Sequence, residues 1–297
     1  MFEQLVDVLG GRRLCVITGA GISTDSGIPD YRGPDSPPRN PMTYQQFVGD
    51  PAFRRHYWAR NHLGWRHMDA ARPNSGHRAL AGLERAGIAH AVITQNVDLL
   101  HTKAGSRRVI DLHGTYAQVR CLGCGALISR ATLADRLEEA NPDFSATVSA
   151  SSGVEIAPDA DAVITSTERF RMVDCASCGG LLKPDIVYFG ETVPGQRVEA
   201  AYAVVDEADA LLVAGSSLTV MSGLRFVRHA AKRDIPIVIV NRGSTRADAL
   251  ATVKLDTGCS EALTALLDAT AEPDRRRGRS DVASPGEVPA STSRGSR

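Results

Sequence analysis

Lysine is scarce here: of the 34 basic residues among 297, only Lys103, Lys183, Lys232 and Lys254 are lysines, and the rest are arginines. Net charge is missing too, because Asp and Glu also number 34. A protein that grips nucleic acid through its phosphates draws on a basic surplus, and a polybasic contact with a membrane surface needs the same. This composition supplies neither, so no direct nucleic acid and no membrane is expected among the partners. No apolar run approaches the ~20 residues of a bilayer span. The first ten residues carry Glu3 and Asp7 and lack the basic start and small-residue cleavage site of a secretory signal. No internal repeat marks a solenoid. These absences leave a cytoplasmic enzyme as the expectation, with its cysteines as thiols or metal ligands rather than disulfides.

What is present is an alternation. Short apolar runs at Leu14–Thr18, Ala89–Thr94, Val109–Leu112, Leu211–Ala214 and Pro236–Val240 read as buried parallel strands. Helical stretches such as His77–Ala86, Val198–Asp206 and Gly223–Arg233 lie between them. That order predicts an α/β fold: a Rossmann-like parallel sheet domain with a smaller inserted zinc-binding domain. The sheet domain is expected from 1–34, 76–115 and 183–270. A helical or loop element at 35–75 and a cysteine-bearing small domain at 116–182 interrupt it. Residues 271–297 are Arg, Ser, Pro and Gly with almost no large apolar side chain, so an unstructured tail is expected.

Cys121-x-x-Cys124 and Cys175-x-x-Cys178 are each followed by glycine, at Gly125 and at Gly179-Gly180. A CxxC turn sets two thiolates on one side of a metal, and glycine frees backbone N–H groups to donate to sulfur. Two such pairs point to one Zn2+ held by four cysteines. A site with four protein ligands has no position for water, so this zinc is expected to be structural. Cys15 sits in a core strand as a small buried hydrophobe.

Gly19-Ala20-Gly21-Ile22-Ser23 follows the first strand as a nucleotide-binding turn does, although Thr24 breaks the G-x-G-x-x-G pattern. The longer block from Gly19 to Arg32, ending Ser26-Gly27-Ile28-Pro29-Asp30-Tyr31-Arg32, is more specific. Thr94-Gln95-Asn96-Val97-Asp98, Leu112-His113-Gly114, Leu182-Lys183-Pro184-Asp185-Ile186-Val187-Tyr188-Phe189-Gly190-Glu191, Gly215-Ser216-Ser217-Leu218 and Val240-Asn241-Arg242-Gly243 follow in order. With these blocks the chain, from about Leu14 to Cys259, resembles the sirtuin family of NAD-dependent protein deacylases. Tyr57-Trp58-Ala59-Arg60 and His101-Thr102-Lys103-Ala104-Gly105 resemble its class II branch, as a bacterial relative of the mitochondrial member.

The resemblance implies NAD as co-substrate, acylated-lysine proteins as substrates, and nicotinamide, O-acyl-ADP-ribose and free lysine as products. It places His113 as the general base, a residue type that titrates near neutrality with little tuning. Asn96 and Asp98 would orient the ribose and a water. Gly19, Ala20 and Gly21 would bring backbone donors to the pyrophosphate, and Ser23 would add its hydroxyl. Asp30, Tyr31 and Arg32 would form a loop over the cofactor, with Gln95 and Val97 beside it. Gly215, Ser216 and Ser217 would contact adenosine ribose and phosphate. Asn241, Arg242, Gly243 and Cys259 would lie at the adenine side. Val187, Phe189, Gly190 and Glu191 would flank the acyl-lysine peptide, held by strand addition, and Tyr57 with Arg60 would meet acidic acyl groups. No oligomer is implied. Three rival readings are an ADP-ribosyl transferase using the same site, a zinc-ribbon binding module and an NAD oxidoreductase. The neutral charge weighs against the second, and the broken glycine motif against the third.

Overall fold

The structure, a computed structural model, describes residues 2–31, 41–142, 144 and 167–280. Its centre is a six-stranded parallel sheet of Leu14–Thr18 (β1), Ala89–Thr94 (β2), Val109–Asp111 (β3), Ala210–Ala214 (β7), Ile237–Val240 (β8) and Val253–Leu255 (β9). The strand order is β3-β2-β1-β7-β8-β9, and every pair in it is parallel. All five β1 residues are buried, as the unbroken apolar run required.

The two-residue period of a strand divides this run between two cores. Leu14 and Val16 face a layer with Leu5, Leu80, Leu83, Leu263 and Leu266, drawn from helices Phe2–Leu9, Ser75–Arg85 and Cys259–Ser280. Cys15 and Ile17 face the opposite layer with Val204, Phe226 and Val227, drawn from helices Gly195–Asp206 and Met221–Lys232. Burial pushes the Cys15 thiol up to about 12, which fits an inert core residue. Successive strands step outward from β1 on one side and from β7 on the other. The sheet therefore opens a crevice at the carboxyl ends of β1 and β7, where open α/β sheets bind ligands.

A second, antiparallel sheet joins Gly114–Cys121 (β4) to Leu127–Ser129 (β5) and Leu182–Ile186 (β6). Pro184 is tolerated because β6 is an edge strand. The sequence placed the cysteine-bearing segment and the 35–75 element as two separate insertions. The structure gives them one core: Phe47, Tyr57 and Trp58 pack with Val119, Leu133, Leu137 and Leu182. Phe47 and Tyr57 come from helices Tyr44–Gly49 and Pro51–Ala70, the latter started by Asp50 as N-cap and Pro51 at its first position. The sheet-domain boundary expected at 183 falls inside β6.

The last helix runs to Ser280, past the boundary at 271 where composition predicted an unstructured tail. Once its first turns are anchored in the core by Ala262, Leu263 and Leu266, each added residue extends a helix already nucleated. The remainder of the expected tail, 281–297, lies outside the described residues. Among the described residues, no helix is long and apolar enough to cross a membrane.

Candidate active site

The crevice is a cavity of about 950 Å³. Its walls include Gly19, Gln95, Asn96, His113, Val187, Phe189, Ser216, Ser222, Asn241 and Cys259. The chain thus gathers the ends of β1, β2, β7 and β8, the start of β4 and the stretch after β6 around one space.

The glycine turn lines the cavity and is tied to the end of β7. The N–H groups of Gly19 and Gly21 donate to Ala214 O at 3.3 Å and Gly215 O at 2.9 Å. These glycines are needed for close packing. A Cβ on Gly19 would lie 2.8 Å from Ser216 Cβ, and one on Gly21 3.0 Å from Gly215 Cα. Gly215 itself has φ +66°, and a Cβ there would stand 2.3 Å from Ile22 N. Gly215→Ala should therefore cost about 2–4 kcal/mol, from the left-handed strain and the forced separation of two loops. Urea unfolding checks this, and an unchanged midpoint would refute it.

Ser23 lines the cavity too, with its hydroxyl engaged by a neighbour. Its side chain is fully buried, and its hydroxyl donates to Asp98 Oδ2 at 2.6 Å. Asn96 Nδ2 donates to Ser23 Oγ and to Gly19 O, both at 3.0 Å. Asp98 Oδ1 accepts from Leu100 N at 2.9 Å. Burial pushes the Asp98 carboxyl up, and the Ser23 hydroxyl and Leu100 amide pull against that shift. The trio is a buried brace that fixes the glycine turn against the end of β2. Asn74 adds to it, capping the Ser75–Arg85 helix while its Nδ2 donates to Ile22 O at 2.7 Å.

Gln95 ties three strand ends together. Its Nε2 donates to Ser216 Oγ at 2.8 Å and to Thr18 O at 3.2 Å. Its carbonyl oxygen lies 3.0 Å from His113 Nδ1. A carbonyl only accepts, so Nδ1 carries the ring proton and Nε2 is the basic nitrogen. Nε2 stands 2.8 Å from the hydroxyl of Ser222, a residue in the first turn of Met221–Lys232 that no sequence motif singled out. Burial holds the His113 pKa down to about 4, with the Gln95 contact opposing it and the Arg197 charge adding to it. Two residues upstream, burial raises the Asp111 carboxyl to about 6.

At the far end, Asn241 Nδ2 is spent within its own turn, on Arg242 O at 2.7 Å and Gly243 O at 3.3 Å. Gly243 N donates to Asp256 Oδ1 at 3.0 Å. Cys259 is buried with Sγ 3.7 Å from Val240 O, and burial pushes its thiol up to about 12. Ser217 Oγ pairs with Thr219 Oγ1 at 3.0 Å.

Across the cavity, the ring of Phe189 meets Tyr31 edge-on at 6.2 Å. Glu191 lines the space, yet its carboxylate is committed to Lys183 Nζ at 3.2 Å and to Tyr188 N at 2.9 Å. It shapes the loop that presents Val187 and Phe189. At Gly190, φ is +78° and Gln45 Nε2 donates to its carbonyl at 3.3 Å. Tyr57 and Arg60 are not among the lining residues of this cavity: Tyr57 is packed in the small-domain core, and Arg60 reaches His56 at 3.1 Å. Asp30 and Tyr31 stand at the cavity wall, whereas Arg32 lies outside the described residues.

The two CxxC turns meet. The four sulfur atoms lie within 4.8 Å of one another, with Cys121–Cys178 at 3.5 Å and Cys124–Cys175 at 3.8 Å. Zinc–sulfur bonds of about 2.3 Å make a tetrahedron with edges near ~3.8 Å, so the cluster fits the ion. The N–H of Gly180 reaches Cys178 Sγ at 3.3 Å. The N–H groups of Cys124 and Gly123 hold the Cys121 thiol down, whereas at Cys178 the Gly180 N–H pulls down and the Cys121 and Cys124 sulfurs push the thiol up. A Cβ on Gly180 would press to 2.9 Å from Cys121 Sγ, which explains the glycine there.

A parallel sheet opening at its switch point onto a glycine turn, a buried amide brace and one neutral histidine, with a four-cysteine module alongside, defines a dinucleotide-dependent enzyme built on a metal-stabilised insert. The model of the Sir2 family matches residues 19–222, and the chain belongs to that family. It is 70% identical over 265 residues to NAD-dependent protein deacetylase 1 of Mycobacterium avium, covering 89% of this chain and 94% of that protein. It is 47% identical over 259 residues to the mitochondrial NAD-dependent protein lipoamidase sirtuin-4 of Bos taurus, covering 85% and 81%. A solved structure described as Sir2 with p53 peptide and NAD+ superposes with TM-score 0.72 at 32% identity, over 92% of this chain and 99% of that one.

Proposed function

We propose that the chain is an NAD-dependent protein-lysine deacylase, with deacetylation as its default activity, acting on acylated-lysine proteins in the cytoplasm. The observation that carries the reading is His113. It is locked by Gln95 into the tautomer that leaves Nε2 basic, inside a cavity that also holds the glycine turn and the Val187–Phe189 wall.

Bound NAD supplies an electrophilic ribose carbon, from which nicotinamide departs, and a ribose hydroxyl that receives the acyl group. Gly215, Ser216, Asn241, Arg242, Gly243 and Cys259 would hold its adenosine end, and Ala20 with the turn around it the pyrophosphate. The brace of Asn96, Asp98 and Ser23 keeps that turn in place, and Gln95 keeps the histidine in register with it. Val187 and Phe189 line the passage for the lysine stem and exclude water from the reacting centre. His113 Nε2 accepts the proton released as the acyl group is attacked. The backbone of β6 and the residues after it offers an edge to an extended peptide, so main-chain contacts carry affinity more than sequence does.

The test is incubation with NAD and acetyl-, lipoyl- and glutaryl-lysine peptides, following nicotinamide and peptide mass together. Loss of acyl mass matched by nicotinamide release is expected, largest for the acetyl and lipoyl peptides because Tyr57 and Arg60 do not line the cavity. A gain of ADP-ribose mass on protein without acyl loss would overturn the reading.

A further inference from the structure

His113 Nε2 is not open to the cavity in the way its role demands. Its lone pair points at Ser222 Oγ, 2.8 Å away. Nδ1 already carries the ring proton toward Gln95 O, so in this contact Ser222 must be the donor and Nε2 the acceptor. A proton bound for His113 can therefore arrive in two ways: by displacing Ser222, or by passing through it.

The geometry points to the second: we propose that Ser222 is a further catalytic residue, relaying the proton of the attacking substrate hydroxyl to His113. This rests on the deacylase reading given above. Three features favour a relay. The Ser222 hydroxyl has His113 as its partner among the described residues, which leaves its oxygen lone pairs to accept from a second hydroxyl. Both residues line the same cavity, and Ser222 is only half buried. Ser222 also stands in the first turn of the twelve-residue helix Met221–Lys232, whose positive end stabilises an oxygen that gains negative character in transit.

The step balances without another reactant. The attacking oxygen keeps the electron pair of its O–H bond and uses it on the acyl carbon. Its proton bonds to Ser222 Oγ while the original Ser222 proton bonds to Nε2, giving an imidazolium and a restored serine. The electron pair of the C–N π bond at the acyl carbon moves to the lysine nitrogen, and the imidazolium later hands its proton back along the same path, through Ser222, to that departing nitrogen.

Ser222→Ala removes the relay and leaves the cavity otherwise lined as before. It should lower kcat about tenfold or more while KM for NAD stays within about twofold. Ser222→Thr, which keeps the hydroxyl, should restore most of the rate. The proton inventory in mixed H2O and D2O should be curved for the native enzyme and linear for Ser222→Ala. A readout independent of turnover is the ring-nitrogen NMR titration of His113 in the free protein. Losing a donor to Nε2 destabilises the neutral ring, so the His113 pKa should rise in Ser222→Ala and stay low in Ser222→Thr. An unchanged or faster kcat in Ser222→Ala would overturn the relay and show that Ser222 merely vacates the histidine. An unchanged His113 titration would show that the contact itself is absent in solution. If the native protein fails to cleave any acyl-lysine, the deacylase reading fails, while the titration still tests the contact.

Discussion

His113→Ala should abolish acyl-lysine cleavage, lowering kcat/KM by about 10²–10⁴ because a positioned general base contributes about that much. The peptide-mass assay measures it, with a thermal melt to show that the variant is folded. Activity within about tenfold of native would remove His113 from the chemistry. The pH dependence sharpens the test. Burial depresses the His113 pKa to about 4, so the neutral base form persists as pH falls from 7 toward 5. The acid limb of kcat/KM, which reports the free enzyme, should therefore centre well below 6.5. A limb centred at 6.5 or above would mean that the ring is solvated, contrary to its placement against Gln95 and Ser222. A base this weak also explains why the ring needs a fixed partner on each nitrogen: its basicity is traded for orientation and for constant availability.

Disrupting the four-cysteine cluster should have the largest effect on stability. Cys175→Ser, or prolonged chelation, is expected to lower the melting temperature by more than about 10 °C. Structural zinc is worth roughly 10–16 kcal/mol in isolated finger peptides, and losing even part of that moves a chain of this size by several degrees per few kcal/mol. The loss should be local first. Amides of β4 and β6, paired from Gly114↔Ile186 to Cys121↔Leu182, should exchange faster with solvent than those of β1 and β7. A melt shifted by under about 1 °C would refute a structural metal.

The parallel sheet was legible because a strand buried on both faces writes itself as an unbroken apolar run, as Leu14–Thr18 does. The cysteine pairs were legible because ligand geometry constrains local spacing. β9 was not, since Val253-Lys254-Leu255 is short and broken by a charge. β6 was not, since Pro184 and Asp185 disguise an edge strand. The joint core of the two inserts escaped for a different reason. Periodicity reports which side of an element is covered, never which distant segment covers it, so Phe47 and Tyr57 gave no sign of Leu133 or Leu182. At the site, the motifs named residues that the fold brings around one cavity, while several of their contacts were not legible. The Gly21 amide and the Ser23 hydroxyl are consumed by neighbours that no spacing rule names. Ser222 sits after the Gly215-Ser216-Ser217-Leu218 block, and only the folded position of His113 reveals its partner.

The strand that begins beside His113 is the strand that ends at Cys121, and His113 O accepts from Val187 N at 2.8 Å. His113 and the Val187–Phe189 wall of the cavity are thus riveted to one antiparallel pair, whose other end carries the four-cysteine cluster. The His113 ring is held from the opposite side, by Gln95 O just past the end of β2 and by Ser222 in the helix Met221–Lys232. The residue is a pin shared by both sheets: its backbone is bonded to the antiparallel pair and its side chain to the parallel-sheet layer, so one cannot shift without straining the other.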